Sequence, residues 1–193
     1  DDLFVEDFVL PAGRLRERRK NYRRAEIIVV TKCPKNLSVY DRKTVIEKIH
    51  PLAYQSVYFS TVKYQDLVPF FASKNLVFKN CLLLTGIANG KPLEAFLKTK
   101  FANVFSQHFS DHHHFSIADL EKIRAQFNQI GAEKTGVITT EKDAVRLLPF
   151  RDWFEQHKIP LYFQPISIEF LKDDEKRFRG DILQFLNNFA PEL

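Results

Sequence analysis

The chain contains no methionine among its 193 residues. It begins Asp1-Asp2-Leu3, so position 1 is not a natural initiation site, and the expectation is a fragment whose upstream partner is missing. No run approaches the roughly 20 consecutive apolar residues that cross a bilayer, which excludes a transmembrane helix within these residues. The start also lacks the charged, apolar and cleavage regions of a secretory signal. Cysteine occurs only at Cys33 and Cys81, in no zinc-binding spacing. Each stands at or near the end of an apolar run, which suits a buried thiol in a reducing cytoplasm better than half of a disulfide. There is no internal repeat, no low-complexity stretch and no long linker.

What is present is the composition of an ordinary soluble globular protein, 45% hydrophobic and 27% charged, with 19 phenylalanines as the main departure. The length suffices for one sizeable core, or for one domain and a segment of a second. The net charge of +5 is unevenly spread. Arg14, Arg16, Arg18, Arg19, Lys20, Arg23 and Arg24 crowd into one short segment against a single acid, Glu17. Such a cluster favours phosphate groups, nucleic acid or anionic headgroups, and a solvated helix face produces the same string.

Short β-branched or apolar strands are predicted at 26–32, 56–62, 81–87, 136–140 and 160–164. Their near-continuous apolar character suits strands covered on both faces. Helical patterns lie between them. Pro92 occupies a first-turn position and opens a helix over 93–98. Ser116 and Asp119 have capping-box spacing and start an amphipathic run, with Ile117, Leu120, Ile123 and Phe127 on one side, that ends before Gly131. Thr140 and Asp143 form a second such box, opening 144–148, and a final helix is predicted over about 174–189. Strands alternating with helices predict an α/β fold, a layered domain with a mostly parallel sheet. Residues 1–24 are irregular and basic, with the turn-forming Leu10-Pro11-Ala12-Gly13, and read as an inter-domain junction; 25–193 read as the α/β domain.

Four strings can carry chemistry, and α/β proteins place such strings after the C-terminal ends of strands. In Leu10-Pro-Ala-Gly-Arg-Leu-Arg-Glu17, Arg14 and Arg16 can clamp phosphate oxygens while Glu17 orients an arginine or a cation; a surface salt-bridge cluster is the plain alternative. Thr85-Gly-Ile-Ala-Asn-Gly-Lys-Pro92 fails as a phosphate loop. Three residues instead of four separate Gly86 from Gly90, and Pro92 stands where the magnesium-binding hydroxyl belongs. Asp111-His112-His113-His114 holds half the histidines of the chain. Adjacent side chains rarely converge on one metal ion, so the string reads either as a carboxylate-oriented histidine for proton transfer or as a solvated turn. In Val137-Ile-Thr-Thr-Glu-Lys-Asp-Ala144, helix capping accounts for Thr140 and Asp143. Lys142 opposes the helix dipole and is suited to meet an anion.

Taken in order, Leu10–Glu17, Val30-Thr-Lys32, Leu84–Asn89, Phe109–His113 and Thr139–Val145 resemble the lipid A 4'-kinase family, the tetraacyldisaccharide 4'-kinases of Gram-negative bacteria. The resemblance runs from about Leu3 to about Asp181 and points to the carboxy-terminal portion of such a kinase. It implies a lipid biosynthesis transferase that moves the ATP γ-phosphate, with Mg2+, onto the 4'-hydroxyl of tetraacyldisaccharide 1-phosphate on the way to lipopolysaccharide. The fold implied is the second domain of a two-domain P-loop kinase. ATP and Mg2+ are then bound mainly by an amino-terminal P-loop domain absent from this sequence, and the 193 residues alone are expected to be inactive. By resemblance, Asp111 and His112 correspond to the family's Asp-His pair, in which the histidine pairs with an aspartate of the other domain as the sugar hydroxyl loses its proton. Arg16 and Glu17, with Arg14 beside them, correspond to the phosphate-site string. The implied location is the cytoplasmic face of the inner membrane, as a peripheral protein on an anionic surface, with no nucleic-acid partner.

Two other readings stay open. Asp-His-His phosphoesterases use that motif with further aspartates to bind manganese, but the spaced aspartate motifs they need do not occur here. A non-catalytic anion- or membrane-binding domain is supported by the basic cluster alone.

Overall fold

The structure is a computed structural model and describes residues 3–71 and 77–189. The first two residues of the 1–24 segment and the last four of the 25–193 stretch lie outside the described residues. The chain divides into two compact units, Asp1–Lys63 with Ser167–Leu193, and Tyr64–Ile166. The expectation of one layered domain, the second of a two-domain kinase, is therefore corrected: two units are present, with separate sheets and separate cores. The physical reason lies in the edge strands, whose mixed polar and apolar sequences carry little strand signal.

In the first unit the sheet order is β1 (Ile27–Val30), β2 (Ser56–Tyr64), β8 (Ile166–Phe170). β1 and β2 are parallel, with Ile27 opposite Ser56 and Val30 opposite Phe59. Helix α1 (Val39–Ile49) makes the crossover that parallel pairing requires, capped by Ser38, whose side chain accepts from the Asp41 amide. Cys33, Ile49, Val57, Phe59 and Leu171 form the core. The last helix, α6 (Asp174–Phe189), occupies the predicted span and is tied in by a buried acid. Asp174 Oδ2 accepts from Arg42 Nη2 at 2.6 Å and from the Phe59 amide at 2.9 Å.

The second unit holds a five-stranded sheet in the order β3 (Val68–Pro69), β7 (Leu161–Gln164), β6 (Thr135–Thr140), β4 (Asn80–Thr85), β5 (Asn103–His108). β5, β4, β6 and β7 are parallel; β3 is antiparallel to β7, so the sheet is mixed. The strand period of two separates the core into two faces. Leu82, Leu84, Val137 and Leu161 point to one face, with Leu120, Ile123 and Phe127 of α3 (Ile117–Ile130), Leu147 of α4 (Glu141–Leu147) and Phe154 of α5 (Arg151–Gln156). Cys81, Leu83, Ile138 and Tyr162 point to the other, against Leu93 and Leu97 of α2 (Lys91–Leu97). Burial on both faces is what the continuous apolar strings predict. Each wholly buried leucine contributes about 1.5–3 kcal/mol. Ile117 departs from the predicted apolar side: it lies 55% exposed, in the first turn beyond the reach of the core.

Candidate functional site

Three of the four singled-out strings meet at one edge of the second unit. β4, β5 and β6 run in the same direction, so Gly86, the 109–116 loop and the start of α4 all follow the C-terminal ends of neighbouring strands. The fourth string, Leu10–Glu17, follows no strand of either sheet and lies in the first unit.

Asp143 organises the edge. Thr140 caps α4 as its sequence predicts, its Oγ1 accepting from the Asp143 amide at 3.1 Å. The Asp143 carboxylate, however, does more than cap. It is fully buried, and Oδ2 accepts from the Gly86 amide at 2.9 Å and from the Thr140 hydroxyl at 2.8 Å. Oδ1 accepts from Arg146 Nη1 at 2.8 Å. The same Nη1 donates to the Gly86 carbonyl at 3.1 Å, and Nη2 lies 3.1 Å from His112 Nδ1. Gly86 is required by proximity: a Cβ there would stand 3.0 Å from Asp143 Oδ1 and 3.4 Å from the Ser110 carbonyl.

The three adjacent histidines are separated by the loop that carries them. His112 sits in the left-handed region at φ 60°, a conformation unusual for a residue with a side chain, while Asp111 Oδ1 accepts from its amide at 3.0 Å. Its ring is 76% exposed; Nε2 lies 3.7 Å from Asp111 Oδ2. His113 turns inward, stacks on Phe109 at 4.8 Å and meets Asp119 Oδ2 through Nε2 at 3.0 Å. Asp119 completes a capping box with Ser116. The Ser116 hydroxyl first, and the His113 ring after it, hold the Asp119 carboxyl below its ordinary value, against the opposing effect of burial. His114 is exposed. Lys142 is exposed on the first turn of α4 and has no side-chain partner among the described residues.

In the first unit Arg14 pairs with Asp7, its Nε lying 3.2 Å from Oδ2. Glu17 accepts from Arg24 Nη2 at 2.5 Å and from Asn21 Nδ2 at 2.8 Å, so its carboxylate serves Arg24 and not Arg16. Arg16 is exposed and has no side-chain partner among the described residues. With Arg18, Arg19 and Arg24 it borders an open basin of about 370 Å³ whose wall includes Phe4 and Tyr22.

Each unit thus carries an exposed cation without a side-chain partner among the described residues, Arg16 in the first and Lys142 in the second. Among the described residues no group of three or more His, Cys, Asp or Glu side chains is placed to hold a metal ion. That arrangement gives no support to an Asp-His-His phosphoesterase. Among the described residues no helix is long and apolar enough to cross a membrane. The residue missed in the sequence is Arg146. Its signal was available in the spacing, since Asp143 and Arg146 stand three apart on one helix face.

Comparison with known proteins gives a consistent result. The chain is 36% identical over 198 residues to a tetraacyldisaccharide 4'-kinase of Bacteroides thetaiotaomicron, covering 95% of this chain and 52% of that protein. It is 38% identical to the enzyme of the same name from Flavobacterium johnsoniae, covering 99% of this chain and 54% of that protein. The fold is similar to a crystal structure of LpxK from Aquifex aeolicus in complex with ATP, with a TM-score of 0.52 and 16% identity, over 93% of this chain and 49% of that one. The chain spans about half the length of the curated relatives it matches. The narrower expectation of a carboxy-terminal portion is withdrawn, because the matches take in nearly the whole of this chain and both of its units. The model of the tetraacyldisaccharide-1-P 4'-kinase family matches residues 1–187, and the chain belongs to that family.

Proposed function

We propose that this chain serves an ATP-dependent 4'-phosphorylation of a tetraacyldisaccharide 1-phosphate, with His112 assisting removal of the proton from the attacking hydroxyl. The observation that carries the reading is the placement of His112 beyond the C-terminal ends of the parallel strands β4, β5 and β6, with Nδ1 engaged by Arg146 and Nε2 lying 3.7 Å from Asp111 Oδ2 on an exposed ring. In the transfer, the 4'-hydroxyl oxygen forms a bond to the γ-phosphorus and the bond from that phosphorus to the bridging oxygen breaks, leaving ADP. The hydroxyl proton passes to a carboxylate base that the His112 ring orients. Asp111, bonded to the His112 amide, holds the loop in the turn that presents the ring.

ATP supplies the phosphoryl group. Lys142, exposed at the start of α4, suits a phosphate oxygen; in the first unit Arg16 is a cation of the same kind, with Arg14 supporting the loop that carries it and Glu17 bracing Arg24. The sequence has no Gly-x-x-x-x-Gly-Lys-Ser/Thr loop and no metal-ligand cluster among the described residues. A peripheral position on the cytoplasmic face of the inner membrane fits the basic segment, since each Lys or Arg near an anionic surface contributes about 1 kcal/mol.

The test measures transfer from ATP to tetraacyldisaccharide 1-phosphate by a full-length protein carrying these residues. His112→Ala is expected to lower kcat by about 10²- to 10⁴-fold, the range for a lost acid/base group. The 193 residues alone are expected to give no product. An unchanged rate for His112→Ala sinks the assignment, and liposome binding that accompanies such a result would favour a non-catalytic membrane-binding domain.

A further inference from the structure

The contact between Arg146 and His112 has chemical content that a distance alone does not express. A guanidinium has only donors and keeps its charge throughout the range in which proteins are stable. Its Nη2 stands 3.1 Å from His112 Nδ1, so that nitrogen accepts and carries no proton. The neutral ring is then the Nε2–H form, with Nε2 on an exposed ring 3.7 Å from Asp111 Oδ2. Arg146 is itself fixed at two further points, the buried Asp143 carboxylate and the Gly86 carbonyl, so its plane is set by the sheet edge and the helix start together.

We propose that Arg146 is a positioning residue that sets the tautomer and direction of the His112 ring, making Nε2 a hydrogen-bond donor toward a carboxylate. The proposal rests on the reading of His112 given above and deepens it. A carboxylate that takes a hydroxyl proton is best held by a donor, and a ring with its proton on Nδ1 would present a lone pair to that carboxylate and repel it. The loop cannot correct the ring by itself, because His112 is exposed and its backbone lies in the left-handed region. The link also explains why α4 begins with Thr140 and Asp143 in this geometry: the buried acid anchors the guanidinium, and the guanidinium aims the imidazole.

The discriminating variant is Arg146→Lys. One ammonium retains the positive charge beside Asp143 but lacks the fork that reaches Asp143 and His112 together. Nitrogen-15 long-range correlation spectra of the 193-residue chain read the His112 tautomer directly, without dependence on catalysis. The expected result is a neutral His112 held as Nε2–H in the wild type and a mixture containing the Nδ1–H form in Arg146→Lys, with the other histidine signals unmoved. In the full-length protein the same variant is expected to lower kcat about tenfold or more with KM unchanged. A wild-type His112 carrying its proton on Nδ1 overturns the proposal by itself, even where the variant does not fold. An unaltered tautomer in a folded Arg146→Lys chain overturns it equally. Failure of the kinase reading would appear elsewhere, as full activity in His112→Ala while Arg146→Lys still shifts the His112 tautomer.

Discussion

Asp143 is fully buried and depends on three donors from outside its own backbone: the Gly86 amide, the Thr140 hydroxyl and the Arg146 guanidinium. Removing one partner of a buried ion pair costs roughly 3–5 kcal/mol, because the other charge is left without compensation. Asp143→Ala is accordingly expected to lower the urea midpoint by an amount equivalent to about 3 kcal/mol with the m-value unchanged. Asp119 gives a pH-dependent counterpart. Its carboxyl titrates below the ordinary 3.8, chiefly through the Ser116 hydroxyl and then through His113. A depressed folded value means that the stability it contributes is present above the unfolded-state value and is lost as pH falls through the folded one. Urea melts below about pH 4 should therefore converge for wild type and Asp119→Asn, while wild type is the more stable at neutral pH. A constant gap between the two curves would exclude this linkage.

Helix α3 shows how much an element discloses in its sequence. Ser116, Asp119 and Gly131 mark its ends, and both the capping box and the terminal glycine stand where the spacing puts them. Leu120→Ala on its buried side should cost about 2–5 kcal/mol, whereas Ile117→Ala on its exposed first turn should stay within about 0.5 kcal/mol. Paired denaturation curves check both. Three of the elements that escaped sequence reading share a physical cause. β5 is an edge strand reading Asn-Val-Phe-Ser-Gln-His, β8 is an edge strand with Ile166 and Ile168 exposed, and α1 buries only its Val45, Ile46 and Ile49 side while Val39 and Tyr40 face solvent. Periodicity is weak wherever an element contributes little to a core. The candidate site divides in the same way. Its strings were legible because turn and cap chemistry has local spacing, while the bond from Asp143 to Gly86 spans two strands and leaves no mark in either neighbourhood.

The division into two units gives each core its own thiol, Cys33 in the first and Cys81 in the second, both free and buried. Burial pushes the Cys81 thiol up to about 12 and raises Cys33 as well. At about pH 8 neither offers much thiolate, the form that alkylates. Iodoacetamide should therefore leave Cys81 unmodified in the native chain and label it only as the Tyr64–Ile166 unit unfolds, which peptide mass analysis across a urea series would report. Prompt labelling of Cys81 without denaturant would contradict the packing described.

Open parallel sheets receive ligands in the crevice beyond their strand ends where the strand order changes direction. In this sheet β4 leads outward to β5, and β6 leads the opposite way to β7, so that crevice opens between Gly86 and the start of α4. A backbone amide in such a crevice ordinarily waits for a phosphate, and here it already holds a carboxylate belonging to the chain itself. The sheet is self-liganded. On the proposed reading an anion at this edge would not be met by the Gly86 amide, and recognition would pass from the backbone to side chains such as Lys142 that mutation can change one at a time.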